Sequence, residues 1–328
     1  MAASIAVNSS HLRPVDVHKD LPEIADLIEL CFASTMDADG REYIRQIRHM
    51  ALEMRGLGLP IPGIRRLSVP IQGYAWLENN HVVGNLTLIP YFKAGKIVYM
   101  IANVAVHPDF RRRGIGRQMT QQGMTHARDH GAAAAWLQVR DDNAEAAQLY
   151  LSLGFIERAR RTSWIFDPPG SPAPNPLSQI AIRRRTAADW HMQQRWLQEI
   201  YPPEISWNLP FQIDRLRPGV WNSLLRWVNG ERLETWSAWS GSHLLGAAAW
   251  EPGNIVTDVI WLATNPLDED LAAQALLTHA RRILPARKPV TINFPAGFAA
   301  QGIESAGFHP HNTLIWMEAP FSRDHKTG

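Results

Sequence analysis

The chain has 328 residues, 45% hydrophobic and 20% charged, enough to bury a core in each of two domains. A formal net charge of +2 is too small to argue for nucleic acid, and no stretch reaches the ~18 apolar residues of a membrane span. One cysteine, Cys31, excludes a disulfide framework within the chain, and no signal peptide is legible at the start, so a reducing, cytoplasmic setting is expected.

In chain order, "HLRPVDVHKDLPEIADLIEL" predicts a short strand and then a helix. Asp20 stands at the N-cap, Pro22 in the first turn and Glu23 at the capping-box position, with Ile24, Leu27, Ile28 and Leu30 at helical spacing. "GYAWLENNHVVGNLTLIPYF" predicts two strands around a turn at Asn79 and Asn80. "KIVYMIANVAV", residues 96–106, is continuously apolar and β-branched, as a buried strand is. "HPDFRRRGIGRQM", residues 107–119, leads into a helix carrying Ile115, Met119 and Met124 and ending at Gly131, after His126, Arg128 and His130. A strand in "AWLQV", a helix in "AEAAQLYLSL" and a strand in "TSWIF" complete this half.

"DPPGSPAPNPLS", residues 167–178, has no apolar periodicity and reads as a semi-rigid linker. The second half repeats the plan. Thr186 and Asp189 precede a helix with Trp190, Met192, Trp196 and Leu197; "TWSAWSGSHLLGAAAWEP" reads as two strands around residues 240–242; "GIESAGFHPHNTLIWMEAPF" reads as helix, Gly-Phe and strand. A period this long indicates a duplicated domain and not a solenoid.

The glycines at 114 and 116 fall between a strand and a helix N-terminus, where backbone N–H groups lack intrahelical partners and suit a phosphate. Met119 stands where a Rossmann loop has its third glycine, and no Gly-Lys-Ser/Thr of a Walker loop is present. Taken alone, the motif fits a phosphate seat and equally a tight turn with solvated arginines.

Arg111-x-x-Gly114-x-Gly116, straight after "VAVHPDF", resembles the acetyl-CoA-binding signature of the GNAT superfamily of N-acetyltransferases. "LQVRDDNAEAAQLYLSLGF" resembles that family's next strand and helix, with Asn143, Ala146, Tyr150 and Gly154-Phe155 in register. The resemblance covers the first half; over the second it covers only the order of elements. It implies an α/β fold of two tandem domains, each a mixed, mostly antiparallel sheet flanked by helices. Residues 1–167 would be the catalytic, acetyl-CoA-binding domain, 168–178 the linker and 179–328 a degenerate copy, a layout similar to that of mycothiol synthases. It further implies acetyl-CoA as cosubstrate, direct acetyl transfer to an amine of a small molecule or peptide, and no metal, nucleic acid or membrane partner.

By the same resemblance, Val104, Ala105 and Val106 would bond the pantetheine arm like an added strand. Backbone N–H groups of Arg112, Arg113, Gly114, Ile115, Gly116 and Arg117 would hold the pyrophosphate. Asn143 reads as a helix N-cap and, by resemblance, as a contact to the arm; Tyr150 reads as core and, by resemblance, as the acid that protonates the leaving thiolate. The N–H of Val106 is the expected donor to the oxyanion.

No general base is legible. Many relatives carry a glutamate on the fourth or fifth strand; here the fifth has Gln138 and the fourth has no carboxylate. The base then lies elsewhere, as in "STMDADGREYIRQIRHM", or water relays the proton, and an amine of low pKa needs less help. The missing carboxylate also favours the alternative of a non-catalytic acyl-CoA-binding or sensor protein. In the second half, "TNPLDEDLAAQALL" lacks the glycines and places Asp268, Glu269 and Asp270 where phosphates would arrive, so no CoA is expected there. Nine of the 13 tryptophans fall between Trp190 and Trp261, as core packing or as an aromatic wall for the acceptor.

Overall fold

A computed structural model describes residues 11–36, 38–54, 72–166, 172–219, 232–253, 257–284 and 288–321. Two compact units emerge. One holds the chain up to Val139, Asn143–Arg158 and the segment from Met317; the other holds Arg140–Asp142 and Ala159–Trp316. Residues 167–171 of the expected linker lie outside the described residues.

The first half runs β1 (Leu12–Pro14), α1 (Leu21–Phe32), α2 (Ala38–Met54), β2 (Gly73–Glu78), β3 (His81–Lys93), β4 (Lys96–Val106), α3 (Ile115–Asp129), β5 (Ala134–Arg140), α4 (Ala144–Ser152) and β6 (Ile156–Phe166). The second runs β7 (Ala181–Arg184), α5 (Trp190–Ile200), α6 (Pro203–Ser206), β8 (Glu234–Ser240), β9 (His243–Glu251), β10 (Asp258–Thr264), α7 (Glu269–Ile283), β11 (Val290–Pro295), α8 (Ala300–Ser305) and β12 (His309–Pro320). The repeated order is a tandem duplication.

In the first unit β1 to β5 lie side by side in chain order, antiparallel except for β4 and β5. In the second the order is β6-β11-β10-β9-β8-β7, and only β10 and β11 are parallel. Parallel neighbours need a crossover, which α3 supplies in one unit and α7 in the other. The first hairpin turns at Asn79 and Asn80, with φ of 49° and 66°, the left-handed pair that matches strand twist.

Apolar faces pack as their spacing dictates. Ile24, Leu27 and Ile28 of α1 and Ile44 and Ile47 of α2 close over Ala75 and Ala105, while Leu30 faces solvent. In the second unit α7 packs on Leu245, Ile260 and Leu262 on one side of its sheet, and Trp196 and Leu197 of α5 pack on Trp261 on the other. Trp196, Trp236, Trp250 and Trp261 are core; Met192 is exposed, and Gln193 is buried in its place. Trp221 and Trp227 lie outside the described residues.

The expected capping box does not form. Asp20 occupies the N-cap position, but its carboxylate takes both guanidinium nitrogens of Arg13 at 2.6 and 2.9 Å and the N–H of Asp16 at 2.8 Å. Glu23 reaches out of the helix to the N–H of Val82 at 2.7 Å. Asp189 repeats this, accepting from the N–H of Thr186 and from Ser237 Oγ and not capping α5. Each carboxylate ties helix to strand, and that tertiary demand outweighs a local cap. Among the described residues no helix is long and apolar enough to cross a membrane.

Candidate active site

The site begins with an irregularity in β4. Between Ala102 and Ala105 that strand gains one residue on β3, opposite Asn85–Thr87. Asn103 sits there with a φ of 51°, a backbone region that asparagine tolerates better than most residues. Buried Asn85 donates Nδ2 to the carbonyl of Asn103 at 3.0 Å and so holds the bulge. A bulge bends and twists its strand. Accordingly β4 pairs with β5 only from Val98↔Ala134 to Ile101↔Leu137, although β4 continues to Val106 and β5 to Arg140.

Past Ile101 a gap therefore opens along β4. The N–H of His107 bonds Val83 O at 2.8 Å on the β3 side. Backbone groups alternate along a strand, so those of Ala105 face β3 and those of Val104 and Val106 face the gap. Val106 O already accepts from Arg111 Nε at 3.1 Å and from Cys31 Sγ at 3.4 Å, which leaves the Val106 N–H for anything in the gap.

The glycine loop lies directly beyond. Arg112 and Gly114 have φ of 60° and 78°, and Gly114 is the N-cap of α3. The first helical bond is Gln118 N–H to Gly114 O at 3.0 Å, so the N–H groups of Ile115, Gly116 and Arg117 have no partner within the helix. A Cβ on Gly116 would meet Leu149 Cδ2 at 3.7 Å and Val106 Cγ2 at 3.9 Å, ordinary contacts. Packing against Leu149 and Val106 thus does not require a glycine at this position. The arginines shape the loop: Arg111 grips Val106 O, Arg113 donates to Asp109 O at 3.0 Å and lies over Phe110, and Arg117 donates to Ser152 Oγ at 2.6 Å. Arg112 projects into solvent.

Asn143 caps α4: its Oδ1 accepts the N–H of Ala146 at 3.1 Å, and its Nδ2 is left over. Tyr150 is 7% exposed and packs edge-on to Phe155 at 5.9 Å. Burial pushes its phenol up to about 12, so it is a neutral O–H donor at physiological pH and not a base. Gln138 follows the last β4–β5 pair.

Two residues that sequence reasoning passed over complete this face. Asn103 Nδ2 donates to Tyr43 Oη at 2.9 Å and to Thr87 Oγ1 at 3.3 Å. The available signal was an asparagine inside an otherwise apolar strand, a residue type that strands disfavour. Asp37, within the segment that offered a base, lies outside the described residues, as do the side chains of Ala38 and Asp39.

The matching region of the second unit is built differently. Asp268 does not cap α7; it pairs with His243 at 3.1 Å and accepts from Asn265 at 3.0 Å. Glu269 accepts the N–H of Ala299 at 3.1 Å and Asp270 that of Gly302 at 2.8 Å. A Cβ on Gly302 would stand 2.0 Å from Asp270 O. Glu269 and Asp270 thus serve the N-terminal turn of α8 and not that of their own helix, and α7 and α8 touch backbone to backbone.

Among the described residues no group of three His, Cys, Asp or Glu side chains is arranged to hold a metal. Residues 50–155 match the acetyltransferase (GNAT) family model. A [ribosomal protein bS18]-alanine N-acetyltransferase of Salmonella typhimurium is 44% identical over 62 residues, 19% of this chain and 42% of that protein. A mycothiol acetyltransferase of Salinispora arenicola is 30% identical over 196 residues, 54% of this chain and 57% of that one. The chain thus spans less than two thirds of each of these relatives. A crystal structure of a GCN5-related N-acetyltransferase from Sphaerobacter thermophilus shares the fold, with a TM-score of 0.56 at 17% identity over 94% of this chain and 95% of that one.

Proposed function

We propose that this protein, whose residues 50–155 match the GNAT acetyltransferase family model, is an acetyl-CoA-dependent N-acetyltransferase whose first half performs the chemistry. One observation carries the reading: the gap that opens along β4 after Ile101 runs to the loop where Gly116 is free of packing constraint. A strand edge takes up an amide-bearing arm, and a helix N-terminus takes up phosphates. These two features meet at Val106, whose side chain flanks Gly116. The names of the matched relatives support acetyl transfer.

Acetyl-CoA would supply the activated acetyl group that an amine attacks. Val104 and Val106 would bind the arm through backbone groups, and the N–H groups of residues 112–117 the pyrophosphate, with Asn143 Nδ2 alongside. The Val106 N–H, fixed by strand geometry, would meet charge developing on the thioester oxygen. Tyr150, held neutral by burial, would give its proton to the departing sulfur. The second half, where α7 and α8 close on each other, would bind no CoA. Residues 1–167 would be the catalytic domain, 179–328 the degenerate copy, and the cytoplasm the setting.

The test is release of free thiol from acetyl-CoA by the full-length protein against a panel of amines. Release that depends on an amine is expected. Tight acetyl-CoA binding with no release across the panel would contradict transfer and leave a binding protein.

A further inference from the structure

The last turn of α3 carries two histidines that acetyl transfer does not use. His126 and His130 are four residues apart, so one helical turn sets them on the same face. Their rings stack, with centroids 4.0 Å apart and planes 17° from parallel. Tyr99 of β4 meets both rings edge-on. Helix α3 has 15 residues, about 22 Å at 1.5 Å each, so this end stands far from the phosphate loop at the other.

Hydrogen bonds fix where each ring keeps its proton. His130 Nδ1 lies 2.8 Å from the carbonyl oxygen of His126. A carbonyl only accepts, so Nδ1 carries the proton and Nε2 keeps its lone pair. At His126 the amide nitrogen of Gln72 stands 3.2 Å from Nε2. An amide nitrogen only donates, so Nε2 accepts, and the proton on Nδ1 goes to Tyr74 Oη at 3.1 Å.

Both rings therefore offer an Nε2 lone pair while Nδ1–H is anchored, which is how outer-shell partners hold a metal-ligating histidine. The group now on His126 Nε2 is a donor, at the place a cation would take. Turning the Gln72 amide over exchanges that donor for Oε1, an oxygen ligand. The Gln72 backbone is already tied down, since its carbonyl accepts the N–H of Leu88 at 2.8 Å. His130 is the C-cap of α3, so a cation here also meets the negative pole of the helix.

We propose that His126 and His130 bind one divalent transition-metal ion through Nε2, with Gln72 Oε1 as a third protein ligand and water completing the shell. Two histidines at this spacing on one helix face are a recurrent zinc-binding pair. Imidazole nitrogen suits zinc-like ions, whereas magnesium and calcium take oxygen. Zinc sits ~2.0–2.1 Å from each nitrogen, so a shared ion needs the two within about 4 Å, the spacing at which the rings stack. The ion would tie the end of α3 to the residue ahead of β2 and brace the first unit without touching the reaction. The site is independent of acetyl transfer.

The experiment titrates the full-length protein, free of any affinity tag, with zinc chloride in a calorimeter, and with magnesium chloride as control. One zinc per chain and no magnesium binding are expected. The melting temperature is expected to rise with zinc concentration, because an ion that binds the folded chain stabilises it. His130→Ser and His130→Cys differ by one atom, and only the sulfur is a zinc ligand. Zinc affinity is expected to fall at least ~10-fold in His130→Ser, no less than an outer-shell partner is worth, and to return at least in part in His130→Cys. No zinc binding, several sites of similar affinity, unchanged affinity in His130→Ser, or a loss that cysteine does not restore each overturns the proposal. Unchanged affinity in Gln72→Ala overturns the third ligand alone.

Discussion

Gly116→Ala separates function from fold. Gly116 is the second residue of α3 and needs no left-handed backbone, and the added methyl would sit 3.7 Å from Leu149 and 3.9 Å from Val106. Neither neighbour has to move. Alanine is a better helix former than glycine by up to ~1 kcal/mol, less in a first turn, so thermal stability should hold or rise slightly. Cofactor binding should not hold. The methyl adds bulk to the first turn of α3, whose N–H groups have no partner within the helix and where a pyrophosphate oxygen would approach. Loss of one hydrogen bond to a charged group costs ~1.5–3 kcal/mol, or roughly 10- to 150-fold in affinity. Gly114→Ala is the poorer probe, because at a φ of 78° it adds backbone strain of ~1–2 kcal/mol and mixes the two effects. The assay is titration with acetyl-CoA beside a thermal melt. An intact melt with an affinity within twofold of wild type would refute the phosphate seat and return the motif to a structural turn.

Tyr150→Phe should lower kcat with little change in acetyl-CoA affinity; the drop should lie at the low end of the ~10²–10⁴-fold that general acids contribute, because a phenol pushed up to about 12 is a weak acid for a thiolate. Equal turnover at saturation would leave it only the packing against Phe155. Gly302→Ala should destabilise the protein by about 1–3 kcal/mol in thermal or urea unfolding, since its Cβ would collide with Asp270 O at 2.0 Å; an unshifted midpoint would mean that α7 and α8 do not touch as described. His126 is held below the ordinary 6.5, chiefly by burial and next by the charge of His130, with Asp129 opposing. The unfolded chain therefore takes up that proton first, so the stability His126 contributes is complete above about 6.5 and is lost as pH falls through it toward the lower folded value. Comparing wild type with His126→Gln across pH 5 to 8 checks this: the gap between them should narrow in acid, and a constant gap would argue against it.

Much of the plan was open to reading because local signals agreed with tertiary demands. The Asn79-Asn80 turn and the glycine before α3 tolerate the left-handed backbone the structure gives them, and the apolar run at 96–106 forms β4. Asp20 and Glu23 misled because a carboxylate at a helix start has two uses: Asp20 takes Arg13 of the preceding strand, and Glu23 takes the Val82 N–H, 59 residues away. Glu269 and Asp270 had the same ambiguity, and their partners Ala299 and Gly302 lie about thirty residues on. The bulge at Asn103 was beyond local reasoning altogether. An asparagine in a strand announces an irregularity, but which of its neighbours hold it depends on α2 and β3 arriving beside it.

Calorimetric titration of the full-length protein with acetyl-CoA tests the central claim most directly. The full chain matters, because β12 ends in the first unit and a cut at the linker would remove that segment from it. The account predicts one site per chain, abolished by Gly116→Asp, which sets a negative charge where the pyrophosphate would lie. No binding, or two sites of similar affinity of which one survives Gly116→Asp, would contradict it.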